Sequence, residues 1–179
     1  MNNNRFVITG APGTGKTTLV EALSKEGFKT CEEAARLVVL KNLKKENNIL
    51  PWGNRDAFDS EVFIIMLYDY LVDDRTRPTF YDGGILDILA YEASLGFNYD
   101  KFSRFARYFN YEKTVFIPEP WKEIYEKDVV RNFTFEDSIK IGNKIVEFYT
   151  SFNYEIVFIP KETTIAERVD IVKRKINCD

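Results

Sequence analysis

Short apolar runs alternate along the chain with longer segments whose apolar positions recur every three or four residues, the pattern of a parallel sheet covered by helices. The runs at 5–9, 28–31, 79–81, 114–117 and 155–159 predict five strands. The third is the shortest, opened by Pro78 and closed by an acid. The segment 16–25 reads as the first helix. In 56–72, Phe58, Val62, Ile65 and Met66 share one helical face. In the last helix Ile165, Val169, Val172 and Ile176 do the same, leaving Glu167, Arg168, Lys173 and Arg174 to other faces. Two stretches break the alternation. The polar segment 40–55 carries Lys41, Lys44 and Lys45 before Pro51-Trp52-Gly53 and reads as a loop joining two helices. The segment 118–133, with Pro118, Pro120 and Trp121 at its start, reads as an excursion over the sheet edge and predicts a lid at about 118–134.

Composition narrows the partners. A chain of 179 residues, 45% of them hydrophobic, can bury one sizeable core but not two, and no linker divides it, so a single domain over 1–179 is expected. The net charge of −3 offers no field for nucleic acid or an anionic membrane, which leaves a small soluble molecule as the expected partner. Cys31 and Cys178 form no metal-binding or redox pattern, and no apolar run approaches the ~20 residues of a membrane span. No signal-type segment precedes the first strand. Reduced thiols and a cytoplasmic location follow as expectations. The chain has no histidine, which excludes Ser-His-Asp and Cys-His catalysis and any histidine-ligated metal. Carboxylates, lysine, arginine and magnesium are left to do the chemistry.

Gly10-Ala11-Pro12-Gly13-Thr14-Gly15-Lys16-Thr17 fits G-x-x-x-x-G-K-[ST], between a predicted strand and a predicted helix. Glycine lets the backbone turn its N–H groups toward phosphate oxygens, and the helix N-terminus adds its positive end. Lys16 is expected at the β- and γ-phosphates, Thr17 on magnesium and Thr18 near the α-phosphate of a nucleoside triphosphate, ATP being the expected one.

Carboxylates and arginines follow at the ends of other strands. Asp82 ends the third strand, where such proteins hold magnesium or its water. Asp87 lies five residues on, near a helix start, where it either meets substrate or favours the helix dipole. Glu33 and Arg36, after the second strand, share a helical face at the edge where open parallel sheets bind ligands; a surface ion pair is the plainer explanation. Arg131 lies in the expected lid, placed to neutralise a transferring phosphoryl group, or pairs locally with Asp128. Arg104 and Arg107 suit an anionic substrate or a solvated face equally.

Taken together these motifs resemble a family of small P-loop proteins catalogued as an "AAA domain" or predicted ATPase. The shared segments are Gly10 through Thr18, Glu33-Ala34-Ala35-Arg36, Asp82 with Asp87, and Pro120-Trp121 with Ile124, Tyr125, Asp128 and Arg131. The family is similar to nucleoside and nicotinamide-riboside kinases. That similarity implies a three-layer α/β/α sandwich with strand order 2-3-1-4-5, a carboxylate base after the second strand, and a lid arginine. Glu33, Arg36 and Arg131 would inherit those roles. Gly83 stands where the family has arginine, so a positive charge is missing beside Asp82. The machinery of oligomeric AAA+ motors is absent, since Asp82 is followed by glycine rather than glutamate.

Three functions fit. The leading one is an ATP-dependent small-molecule kinase, with Glu33 or Asp82 accepting a hydroxyl proton and Lys16, Arg131 and Mg2+ stabilising the phosphoryl group. A triphosphate hydrolase and a nucleotide-responsive binding module with negligible turnover are the alternatives. A GTPase switch is disfavoured, because Asn143-Lys144-Ile145-Val146 lacks the aspartate of a guanine motif.

Overall fold

The computed structural model describes residues 3–126 and 134–176. Five strands, β1 (Arg5–Ile8), β2 (Lys29–Cys31), β3 (Thr79–Asp82), β4 (Thr114–Pro118) and β5 (Glu155–Ile159), form one parallel sheet in the order β2-β3-β1-β4-β5. Each lies within a residue of its predicted span. Side chains alternate across such strands. Phe6, Ile8, Phe80 and Phe116 therefore face one layer, which contains α1 (Lys16–Lys25) and α7 (Ile165–Ile176). Val7, Tyr81, Val115 and Ile117 face the other. That second layer holds α2 (Ala34–Lys44), α3 (Arg55–Val72), α4 (Ile85–Ser94), α5 (Asp100–Ala106) and α6 (Phe135–Ser151). The result is the expected three-layer sandwich with the expected strand order.

Three expectations need correction. The stretch 40–55 is not all loop, because α2 continues to Lys44. Asn42 is buried there, its Nδ2 donating to Val38 O at 2.9 Å and to Glu61 Oε2 at 3.1 Å, while Lys41, Lys44 and Lys45 are exposed. Arg168 is not on an outer face but almost fully buried. The described part of the excursion, up to Glu126, includes a 3-10 turn at Lys122–Ile124 and lies over the loop after β1 instead of the sheet edge. Helix α6, which the sequence reading did not anticipate, begins with a capping box in which Thr134 and Asp137 satisfy each other's backbone N–H.

The register aligns the strand ends that matter. Ile8 pairs with Asp82 and Cys31 with Tyr81, so the loop after β1, the acid ending β3 and the segment after β2 share one edge. Burial, followed by Asp69 and Asp73, pushes the Cys31 thiol up to about 12, which makes it a packing group rather than a nucleophile. No described helix is long and apolar enough to cross a membrane.

Candidate active site

The loop between β1 and α1 turns through glycines where a side chain would not fit. At Gly13 φ is +80°, and a Cβ there would come within 2.6 Å of the Tyr125 ring. At Gly15 φ is +83°; no side chain caps the N-terminus of α1 there, so its first N–H groups point into the loop. Both flanking layers hold the loop's carbonyls. Ser138 Oγ on α6 donates to Pro12 O at 2.6 Å, and Arg168 Nη1 on α7 donates to Thr14 O at 3.0 Å. Arg168 also donates to Lys161 O and Thr163 Oγ1. Lys16 Nζ donates to the loop's own Gly10 O at 3.0 Å and Ala11 O at 2.9 Å.

Next to this loop, Thr17 Oγ1 donates to Asp82 Oδ2 at 2.8 Å, while the buried Asp82 Oδ1 has no hydrogen-bond partner. An orphaned buried carboxylate oxygen is costly unless something completes it. Burial first, then the nearby Glu33, pushes the Asp82 carboxyl up to about 7, against the pull of Lys16 and Thr17. This donor set suits Mg2+, which takes one or two protein oxygens and completes its shell with phosphates and water. Asp87 is held differently. Its Oδ2 accepts from Thr9 Oγ1 at 2.6 Å and its Oδ1 from Tyr149 at 2.8 Å, and burial raises its pKa against those two hydrogen bonds. Gly83 adopts φ +89° and donates its N–H to Ile8 O at 2.9 Å; a Cβ there would lie 2.9 Å from Asp87 Oδ2.

Two cavities meet here. A polar one of about 940 Å³ runs along Gly13, Gly15, Lys16, Thr17, Thr18 and Glu33 and is closed by Glu123, Ile124 and Glu126. A largely apolar one of about 910 Å³ lies under the loop, bounded by α2, α3, α4 and α6. Both volumes, their open mouths included, are of the size that binds small molecules. Lys16 and Glu33 line both. Of the other site residues singled out from sequence, Gly10, Pro12, Asp82, Gly83 and Asp87 line the apolar cavity. Arg36, half-buried on the first turn of α2, lines neither cavity, and Arg131 lies outside the described residues. Sequence reasoning missed Asp59 and Tyr91 on the cavity wall, Tyr149 behind Asp87, and both loop clamps. Asp59 had a visible signal, an acid three residues before Val62 within the apolar stripe of α3.

A protein-family model described as an AAA domain matches residues 5–168. The chain belongs to this AAA domain family. No curated protein matches its sequence. Among solved structures, the AAA domain is similar to deoxyadenosine kinase from M. mycoides with bound dATP, at 14% identity and a TM-score of 0.61, covering 97% of this chain and 99% of that one. Shikimate kinase from Aquifex aeolicus is 15% identical with a TM-score of 0.59, covering 97% and 96%. The NadR protein in complex with NR is 16% identical with a TM-score of 0.69, over 95% of this chain but 50% of NadR. At such identities the likeness is one of fold, the P-loop kinase fold.

Proposed function

We propose that this AAA domain is a cytoplasmic ATP-dependent kinase that transfers the γ-phosphate to a hydroxyl of a small molecule. The observation that carries the reading is the junction of the two cavities, where Lys16 and Glu33 line both. ATP would lie along the polar cavity, its phosphates on the backbone of the loop from Gly10 to Thr18. The acceptor would occupy the apolar cavity and present its hydroxyl at the junction. Mg2+, held by Thr17 and Asp82, would neutralise charge on the phosphates.

In that arrangement Lys16 exchanges its two loop carbonyls for the β- and γ-phosphate oxygens and stabilises charge there as transfer proceeds. Glu33 takes the proton of the acceptor hydroxyl as the new O–P bond forms and the bond from the γ-phosphorus to the β,γ-bridging oxygen breaks, with ADP leaving. Asp87 keeps Thr9 and Tyr149 in place beside the junction, and Arg131 would add a positive charge from the lid. An apolar acceptor cavity also favours transfer over hydrolysis, since water needs no such pocket and its exclusion protects the phosphoryl group.

Glu33→Gln tests the assignment. It should lower kcat for acceptor phosphorylation by about 10²- to 10⁴-fold, while ATP affinity, measured by calorimetry, stays within about threefold. Undiminished turnover would remove Glu33 as the base and leave it a surface acid.

A further inference from the structure

The cavity wall changes character away from the phosphate loop. Asp87 lies in the first turn of α4, and Tyr91 and Glu92 follow four and five residues later, about 6 and 7.5 Å farther along the helix. There Arg55, Asp59 and Glu92 meet. Arg55 Nε donates to Glu92 Oε1 at 2.8 Å, Nη2 donates to the same oxygen, and Nη1 donates to Pro51 O at 3.3 Å. Its guanidinium also lies 5.0 Å from the Tyr91 ring centroid and 4.6 Å from that of Phe97. Glu92 thus balances Arg55 without help. Asp59 stands 3.9 Å from Arg55 Nε, beyond a proper hydrogen bond, is hydrogen-bonded instead to Glu92, and is 7% exposed on the cavity wall.

One guanidinium against two ionised carboxyls would leave the cluster a negative charge in excess, so Asp59 and Glu92 share a proton. Such a charge in an apolar wall is expensive. Burial, with Glu92 beside it, accordingly pushes the Asp59 carboxyl up to about 7. A structural ion pair needed only Arg55 and Glu92. The additional acid faces the cavity, where a cation or N–H donor on a ligand can replace the proton it shares with Glu92.

We infer that Asp59 selects the acceptor, and that the acceptor is a neutral or cationic hydroxyl compound that offers Asp59 an N–H donor or a positive charge at the end remote from its reacting hydroxyl. The inference rests on the transfer reading above. Charge on the rest of the wall points the same way. Among the described residues Lys16 is the one cation lining this cavity, against Glu33, Asp59, Asp82 and Asp87. Lys16 is committed to the triphosphate, so a carboxylate or phosphate on the acceptor would find carboxylates and no cation. Phe58, Val62 and Ile88 supply apolar wall for the body of the molecule between its two ends.

The test uses the whole chain with Mg2+ and a panel of hydroxyl compounds sorted by charge: cytidine and adenosine as neutral amino-bearing probes, nicotinamide riboside as a cation, shikimate and orotidine as anions. Binding is measured by calorimetry with a non-hydrolysable ATP analogue, and transfer by ADP release with ATP. Asp59→Asn and Asp59→Leu are run in parallel, with a thermal melt to establish that each folds. A neutral or cationic probe should bind the unaltered chain at least about tenfold more tightly than either anion. Both variants should narrow that preference by roughly 10- to 100-fold, the worth of a hydrogen bond to a charged group. Tighter binding of an anion, a preference that survives both substitutions within twofold, or no binding by any probe overturns the inference. Asp59-dependent binding without phosphoryl transfer would instead remove the kinase reading and leave Asp59 as the selector.

Discussion

Replacing Arg168 by methionine should loosen the phosphate loop from a distance. Arg168 is 2% exposed and ties α7 to the loop through Thr14 O at 3.0 Å, with Lys161 O at 2.9 Å and Thr163 Oγ1 at 3.2 Å as its other acceptors. Hydrogen bonds from a charged donor contribute about 1.5–3 kcal/mol each. Three of them are offset by several kcal/mol for keeping a guanidinium out of water, a cost that methionine does not carry. The net loss is then about 2–4 kcal/mol, which in a domain of this size lowers the melting temperature by about 5–15 °C. Because Thr14 sits in the loop, the affinity for an ATP analogue should also fall, by about tenfold or more. Lysine keeps the charge but cannot span three acceptors, so Arg168→Lys should fall between the two. Differential scanning calorimetry and nucleotide titration read both quantities. A methionine variant with an unchanged melting temperature and an affinity within twofold would refute the view that α7 holds the loop.

Two further outcomes follow from the same geometry. Gly13→Ala places a Cβ at φ +80° and 2.6 Å from the Tyr125 ring, so it should cost about 1–3 kcal/mol in urea unfolding and weaken nucleotide binding; unchanged values for both would contradict the close approach of Tyr125 to the loop. The Asp59 carboxyl, raised to about 7 in the folded chain against an ordinary value of 3.8, favours folding while protonated. Its contribution is complete below about pH 4 and lost as pH rises through 7. Asp59→Asn does not titrate and should therefore gain stability relative to the unaltered chain between pH 5 and pH 8 in urea melts, and a flat difference would contradict the shift.

The sheet and the phosphate loop were legible because each is written locally. Strands appear as short apolar runs, and the loop is a contiguous pattern whose glycines and lysine act through the backbone beside them. Strand order came from family resemblance, since β3 inserts between β2 and β1 by long-range pairing that no local window contains. Arg168 was misplaced although its position on α7, three residues after Ile165 and four before Val172, lies within the apolar stripe. A charged residue there reads as surface unless its buried carbonyl partners are known. Helix α6 carries Ile141, Ile145 and Tyr149 at intervals of four and a Thr134–Asp137 capping box, but its start abuts the expected lid ending at about 134, and no apolar residue of the stripe precedes Ile141 by four. The acceptor cavity was least legible, because α2, α3, α4 and α6 each contribute only a few residues to it. Asp59 and Glu92 stand 33 positions apart and meet only in the fold.

Phosphoryl transfer itself is tested most directly by following the γ-phosphate. With γ-labelled ATP and Mg2+, the label should move to an organic product only when a neutral or cationic hydroxyl compound is present, with one ADP formed per phosphorylated acceptor. Lys16→Ala should abolish that transfer. Label released as inorganic phosphate at the same rate with or without an acceptor would establish a hydrolase instead, and ATP bound tightly without turnover under every condition would establish a binding module.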